Sequence, residues 1–538
     1  MDSKQKSILR SQLFRHLDGI VIAPTAYVLK ANGVTDYILQ NKNISLSELA
    51  SKFKANKGYL NVALRGLCSQ GWLTQHVDNA SNTVYFEINE ASEIAFNHFN
   101  LYKDAFELMK MSAHYHSRKF EMEPFLKLKQ VYNSYKGHYG IKKSNLTFNR
   151  EIQAQILRHI EGVIIGPTVV QLGMSGMFHK YFMQSKFRAE EFHENADAFN
   201  QLLQILADIG WFNVQNGTYE FTPLGLFFAK RASAYGVTVS YIPTLRQLED
   251  LLFGDPLILK PTSVEADELH VDRSMNVWGS GGAHSTYFKV VDEIIIELFN
   301  KPIEEQPEGI LDMGCGNGAF LQHLYGVVEN QTYRGTVLDE YPLTLIGADY
   351  NQASLKVSRA NLIQANIWAK IIWGDIGDPK RLAKDLIENY DIKLENLLNV
   401  RTFLDHNRIW EAPIESFPKQ SFSTGAYVYQ GERINNNLVV ESLKEHIGKW
   451  AEFVGKFGLL IIELHTVKPE LVAENMGKTA STAYDLTHGY SDQYILELDE
   501  YLKAIKDAGL IPDPSSFKKF PNSDLATVSI SLLKYQKK

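Results

Sequence analysis

Only two cysteines, Cys68 and Cys315, occur in 538 residues. That excludes a disulfide framework and suits a reducing cytoplasm, the expected location. Long hydrophobic runs are also missing. "GVIIG", "VVDEIIIELF" and "LLNV" stop far short of the ~20 apolar residues that a membrane span needs, and the polar start "MDSKQKSILR" does not read as a signal peptide. No membrane partner is expected. Positive charge is in deficit too: Lys and Arg number 55 against 62 Asp and Glu, a net charge of −7. This is the wrong sign for a dedicated nucleic-acid binder, which must displace counterions from phosphates. What the sequence does have is bulk. It is 45% hydrophobic, over a length that suggests about three domains of ~100–200 residues each.

The first half is duplicated. "RHLDGIVIAPT" (15–25) recurs as "RHIEGVIIGPT" (158–168), an offset of 143 residues that carries His16 onto His159. Each copy is followed by a helical stretch, then "CSQGWL" (68–73) or "ADIGWF" (207–212), then a strand pair, "TVYFEINEAS" (83–92) or "GTYEFTPLG" (217–225). Helices followed by a hairpin read as winged-helix-like units, placed at 1–100 and 146–235 with a helical connector at 101–145 between them. A winged helix can read DNA, and "KFKANKGYLNVALRG" (52–66) has some charge for it. The second unit's equivalent, "FHENADAFNQLLQ" (192–204), is acidic, so the pair offers no shared basic face and a structural role is expected. His16 and His159 are expected in the core, since repetition on an apolar helix face favours packing. Linker or lid helices are expected at 236–300. There "HVDRSMNVWGSGGAHSTYF" (270–288), with His270, Arg273, Asn276, Trp278 and His284, would close over a ligand, and Gly281 and Gly282 would permit a close backbone approach.

From 301 to 538 the pattern becomes α/β, a doubly wound Rossmann-like sheet. "EGILDMGCGNGAF" reads as a buried strand, a glycine turn and a helix from about Ala319, the β-α step beyond whose strand end ligands bind. Further strands are expected in "LTLIGADYN" (343–351), "AKIIWGDIGD" (369–378), "LENLLNVRTFLDHNR" (394–408), "GLLIIELHTV" (458–467) and "LATVSISLLKY" (525–535). Gly314, Gly316 and Gly318 alternate rather than following the dinucleotide spacing. Asp312, at the strand end, would repel a pyrophosphate and attract a cationic amino or sulfonium group. The turn resembles the S-adenosylmethionine site of class I methyltransferases. That resemblance makes Asp349 the ribose acid and Asp375, with Ile376 beside it, the adenine contact, with Trp278 added from the lid. Asp349 stands 31 residues after Gly318 rather than ~20, which reads as an insertion at "ENQTYRGTVLDEYP" (329–342).

Methyl transfer is an in-line displacement that needs an aligned nucleophile. Candidate catalytic groups follow the later strands: Arg401, Asp405, His406 and Arg408, then Glu463 and His465. His465 or His406 could take a proton. Arg401 could hold a carboxylate through paired N–H donors, or simply pair with Asp405. Farther on, "THGYSDQY" offers His488 and Gln493. With His488 in a loop and Gln493 in the first turn of a helix capped by Ser491, the two could converge on Fe or Mn, although a loop histidine also serves as an ordinary hydrogen-bonding group.

The succession "NVWGSGGAH", "LDMGCGNG", "VRTFLDHNR", "NNNLVVESLKEH", "LLIIELHTVKP" and "THGYSDQY" resembles the methyltransferase modules that open polyketide pathways of the saxitoxin and apratoxin type. The resemblance spans most of the chain. It implies an enzyme that transfers methyl from S-adenosylmethionine to the α-carbon of a malonyl or methylmalonyl group on an acyl carrier protein, in some members with decarboxylation. It also implies a mononuclear Fe or Mn held by His488 and Gln493. Two other readings stay open at this point: a winged-helix small-molecule O-methyltransferase that needs no metal, and a DNA-binding regulator that uses the cofactor fold as a sensor.

Overall fold

The computed structural model describes residues 1–111, 122–181, 185–261, 268–415 and 418–535, the side chains of 181 and 282–286 excepted. The chain divides into two compact units. One comprises 1–284, 426–434 and 468–492; the other comprises 285–425, 435–467 and 493–538. No helix among the described residues is long and apolar enough to cross a membrane.

In the first unit the duplication becomes a helix crossing. Helices Ser3–Ala31 and Thr147–Met174 carry the two copies. They touch at equivalent glycines: a Cβ on Gly19 would lie 2.4 Å from the His159 backbone, and one on Gly162 would lie 2.3 Å from the His16 carbonyl. Only glycine lets the backbones approach this closely. The histidines are buried and answered in parallel. His16 Nδ1 shares a hydrogen bond with the Tyr235 hydroxyl, and His159 Nδ1 shares one with Tyr102, each at 2.8 Å. In both helices a threonine after an internal proline returns its hydroxyl to a carbonyl four residues back, Thr25 to Val21 and Thr168 to Ile164. The hairpins, Thr74–Asp78 with Thr83–Glu87 and Phe212–Gln215 with Thr218–Phe221, begin earlier in the chain than the strand pairs expected at 83–92 and 217–225. The second hairpin turns on Asn216 and Gly217, both at positive φ, the Asn-Gly turn that matches strand twist.

Gly281 and Gly282, expected to permit a close backbone approach in the lid segment, lie inside the helix Arg273–Phe299. Nearby, Gly279 meets Gly236 so closely that a Cβ would come within 2.6 Å, so glycine here serves helix packing. The His284 side chain lies outside the described residues.

The second unit is built on a mixed sheet. Its strands are β1 (Gly309–Met313), β2 (Thr344–Asp349), β3 (Lys370–Trp373), β4 (Leu397–Thr402), β5 (Leu459–Leu464), β6 (Leu510–Pro512), β7 (Lys518–Phe520) and β8 (Val528–Tyr535). They run in the order β6-β8-β5-β4-β1-β2-β3, with β7 also paired to β8. β1 to β5 pair in parallel and β8 is antiparallel to β5. β1 and β5 are buried at every residue, as parallel strands covered on both faces must be. This is the class I methyltransferase fold, a Rossmann-like α/β sheet joined to a mainly helical N-terminal region with winged-helix units. Most of the candidate site residues stand at the carboxyl ends of β1 to β5.

Candidate active site

Asp312 ends β1 in full burial, 1% exposed, and its Oδ2 has no hydrogen-bond partner. Burial, with the Asp349 charge adding to it, raises its carboxyl well above the usual carboxylate range. The chain then turns through Gly314, Gly316 and Gly318, all left-handed with φ of 75°, 54° and 78°. Gly314 and Cys315 donate their N–H groups to the Ala348 carbonyl at 2.8 and 3.1 Å, which binds the turn to the end of β2. Gly316 N–H donates to Asp349 Oδ2 at 3.0 Å, and Asn351 N–H donates to Oδ1 at 2.8 Å. A Cβ on Gly316 would meet nothing nearer than 4.0 Å, so the turn faces open space. Past β3, Asp375 Oδ1 accepts from Gly377 N–H at 2.7 Å, and the Ile376 carbonyl accepts from Trp450 Nε1 at 2.8 Å. Asp312, the three glycines, Asp349, Asp375 and Ile376 therefore stand at the ends of three adjacent strands. Trp278, by contrast, packs on Gly173 and Gly236 within the first unit. A buried carboxylate with an unanswered oxygen, beside an open glycine turn, fits the ammonium of S-adenosylmethionine.

β4 leads into a dense polar cluster. Phe403 adopts φ +52°, a strained value for a bulky residue, and its N–H is held by the Ile462 carbonyl at 2.7 Å. This bend brings Asp405 and His406 back over the end of β5. Leu404 lies 2.9 Å from a Cβ built on Gly314, so the bend adjoins the glycine turn. Glu463 is met by three donors: His406 Nδ1–H at 2.5 Å and Leu464 N–H at 2.7 Å on Oε1, and Asp405 N–H at 2.8 Å on Oε2. A carboxylate only accepts, so the His406 proton sits on Nδ1. Arg401, 1% exposed, places Nη2 at 2.9 Å from Asp405 Oδ1 and its guanidinium 5.2 Å from the Trp450 ring centroid. The ion pair with Asp405, one of the two readings the sequence left open, is present in the structure. Burial opposes the Asp405 charge, but Arg401 and then His446 hold its carboxyl below the usual range. His465 is fully buried. Its Nε2 shares a hydrogen bond with Ser529 Oγ at 2.7 Å, and burial pushes its pKa down to about 3.

His488 and Gln493 exchange the settings expected for them. His488 lies in the last turn of the helix Ser481–Gly489, and Gln493 lies outside any helix or strand. Ser491 caps nothing: its hydroxyl donates to the Thr487 carbonyl, and the next helix begins at Leu498 with Glu497 as its N-cap. The cause is competition for the intervening backbone. Tyr494 N–H is taken by the His406 carbonyl, and Glu497 forms a bridge with Thr466. His488 Nδ1 lies 2.9 Å from the Tyr484 carbonyl and 3.0 Å from the Thr487 hydroxyl. Among the described residues no group of three or more His, Cys, Asp or Glu is placed to hold a metal.

Sequence reasoning missed His446, whose Nε2–H donates to Asp405 Oδ1 at 3.0 Å. The signal was available. Val439, Leu443, His446, Ile447 and Trp450 share the buried face of the helix Asn436–Ala451, so a histidine sits inside an apolar stripe.

The sheet and its glycine turn define an S-adenosylmethionine-dependent methyltransferase. Residues 268–531 match the AprA MT2-like domain, 161–255 the AprA winged helix domain and 9–75 the AprA N-terminal domain. The chain belongs to the AprA-type methyltransferases. No curated protein matches it. Solved structures similar to it include the mitomycin 7-O-methyltransferase MmcR, at 13% identity and a TM-score of 0.42, covering 72% of this chain and 100% of that one. The CurJ carbon methyltransferase is similar at 13% identity and a TM-score of 0.33, covering 80% and 99%. An O-methyltransferase family protein from Burkholderia thailandensis is similar at 11% and 0.41, covering 69% and 95%.

Proposed function

We propose that this methyltransferase C-methylates the α-carbon of a malonyl or methylmalonyl thioester on an acyl carrier protein, in polyketide biosynthesis. The observation that carries this reading is the His406–Glu463 pair, buried on the bend beside the glycine turn. Glu463 accepts from His406 Nδ1 and orients the ring, and an imidazole oriented in this way would serve as the general base that carbanion formation requires. The α-proton passes to His406, and the enolate carbon attacks the methyl carbon of S-adenosylmethionine. The new C–C bond forms as the S–CH₃ bond breaks, and its electron pair stays on sulfur as S-adenosylhomocysteine. Asp312 would anchor the donor's ammonium, Asp349 its ribose, and Asp375 and Ile376 its adenine. A divalent Fe or Mn held by His488 and Gln493 would supply Lewis-acid stabilisation of enolate charge. His465, neutral and bonded to Ser529, would support the end of β5 rather than take the proton.

The test is incubation of the protein with S-adenosylmethionine and a malonyl-loaded carrier, with Fe(II), Mn(II) or a chelator, read by intact mass. The reading expects a gain of one methyl mass per turnover, abolished by chelation and by His488→Ala. The same scan reports any loss of CO₂. Absence of methylated carrier with every metal overturns the substrate reading, and full activity under chelation overturns the metal.

A further inference from the structure

We propose that His446 is a positioning residue for the His406–Glu463 base, acting through Asp405. The inference rests on the reading of His406 as the base. His446 comes from the helix Asn436–Ala451, outside the bend it serves, and is buried at 5% exposure. Burial lowers its pKa, against the opposing pull of Asp405. With Nε2–H on Asp405 Oδ1, it shares that oxygen with Arg401. Arg408 secures the other end of the same residue: its Nη1 donates to the Asp405 carbonyl at 3.0 Å, while Nη2 donates to the Val439 carbonyl at 3.1 Å. Asp405 is thus gripped at carboxylate and carbonyl, leaving its N–H to donate to Glu463 Oε2 at 2.8 Å. Glu463 is thereby fixed through one oxygen while the other orients His406. The chain of contact runs His446, Asp405, Glu463, His406, and each link is a hydrogen bond between buried groups.

Asp405 Oδ1 is met by Arg401 and His446 and its N–H by Glu463, so the contribution proposed for it is geometric. Replacing His446 by an apolar side chain removes one of the two groups that hold its carboxylate, loosening the N–H to Glu463 bond. A glutamine at 446 carries an N–H at a reach comparable with that of imidazole Nε2 and restores the contact.

His446→Leu and His446→Gln, each with its melting temperature, are compared with wild type for kcat and KM on the malonyl carrier. The downfield proton resonance of the His406 Nδ1–H to Glu463 bond is recorded in protein without substrate. Expected for H446L are a kcat lower by about 10- to 100-fold, as for other supporting hydrogen bonds, and a KM for S-adenosylmethionine within about twofold. The downfield proton is lost or shifted upfield, and H446Q recovers both properties. A folded H446L with wild-type kcat and an unchanged resonance overturns the proposal, as does an H446Q no better than H446L at similar stability. Failure of the substrate reading is distinguishable: wild type would then yield no product, while the resonance still reports on the clamp.

Discussion

Two buried aspartates, one in each unit, look alike until the space around them is compared. Asp18 and Asp312 are both nearly inaccessible, each has a carboxylate oxygen without a hydrogen-bond partner, and burial is the main reason each pKa is raised. Asp18 sits beside Gly19, at the helix crossing where even one added carbon would strike backbone. Asp312 sits beside a turn that opens onto nothing for 4.0 Å around Gly316. An orphaned carboxylate alone is therefore not a ligand site. At the crossing it stands in tight packing, and at the strand tip it adjoins open space, where the proposed function gives it the ammonium of the methyl donor.

The comparison can be broken in three ways, from the largest effect down. Gly162→Val puts a branched side chain against the His16 carbonyl. Overpacking usually costs about 1–3 kcal/mol, and with backbone as the obstacle a loss of at least ~3 kcal/mol is expected in urea unfolding. A value under ~1 kcal/mol would deny the tight crossing. Asp312→Asn keeps the shape and removes the charge, so affinity for S-adenosylmethionine should fall by about 30- to 100-fold, the ~2–3 kcal/mol of a charge-assisted bond. Asp18→Asn should leave that affinity within about twofold, and equal losses in both variants would erase the distinction. Asp18→Asn should instead alter stability with pH. The Asp18 pKa is raised to about 7 in the folded protein, so the stability its proton contributes is full below the unfolded value of about 4 and is lost as pH rises through 7. The amide escapes that loss. Its advantage over wild type should grow between pH 5 and pH 8 to roughly 2 kcal/mol, within a ceiling of about 4 kcal/mol set by the shift. An advantage independent of pH would place the Asp18 titration elsewhere.

The same contrast explains what was legible in the sequence. The glycine turn and the strand-ending acids could be read because they are local: β1, three glycines and a helix follow within a dozen residues, and positive φ demands glycine at each. The duplication was equally plain. That the copies pack on each other through Gly19 and Gly162 was not, because a close approach of two helices leaves no mark at either one alone. Gly281 and Gly282 gave no sign in sequence of lying inside the long helix Arg273–Phe299. Ser491 resembled a helix cap until the backbone of Tyr494 and Glu497 was claimed by His406 and Thr466, partners nearly a hundred and about thirty residues away in sequence. His446 was hidden because its partner lies 41 residues back.

The central claim is that Asp312, protonated more readily than an ordinary aspartate, receives the ammonium of the methyl donor as a carboxylate. Calorimetric titration of the wild-type protein with S-adenosylhomocysteine, in two buffers of different ionisation enthalpy, tests it most directly. The account predicts saturable binding accompanied by release of a fraction of a proton, tightening as pH rises above the usual carboxylate range. Binding with no proton released and no pH dependence, or no binding at all, would contradict it.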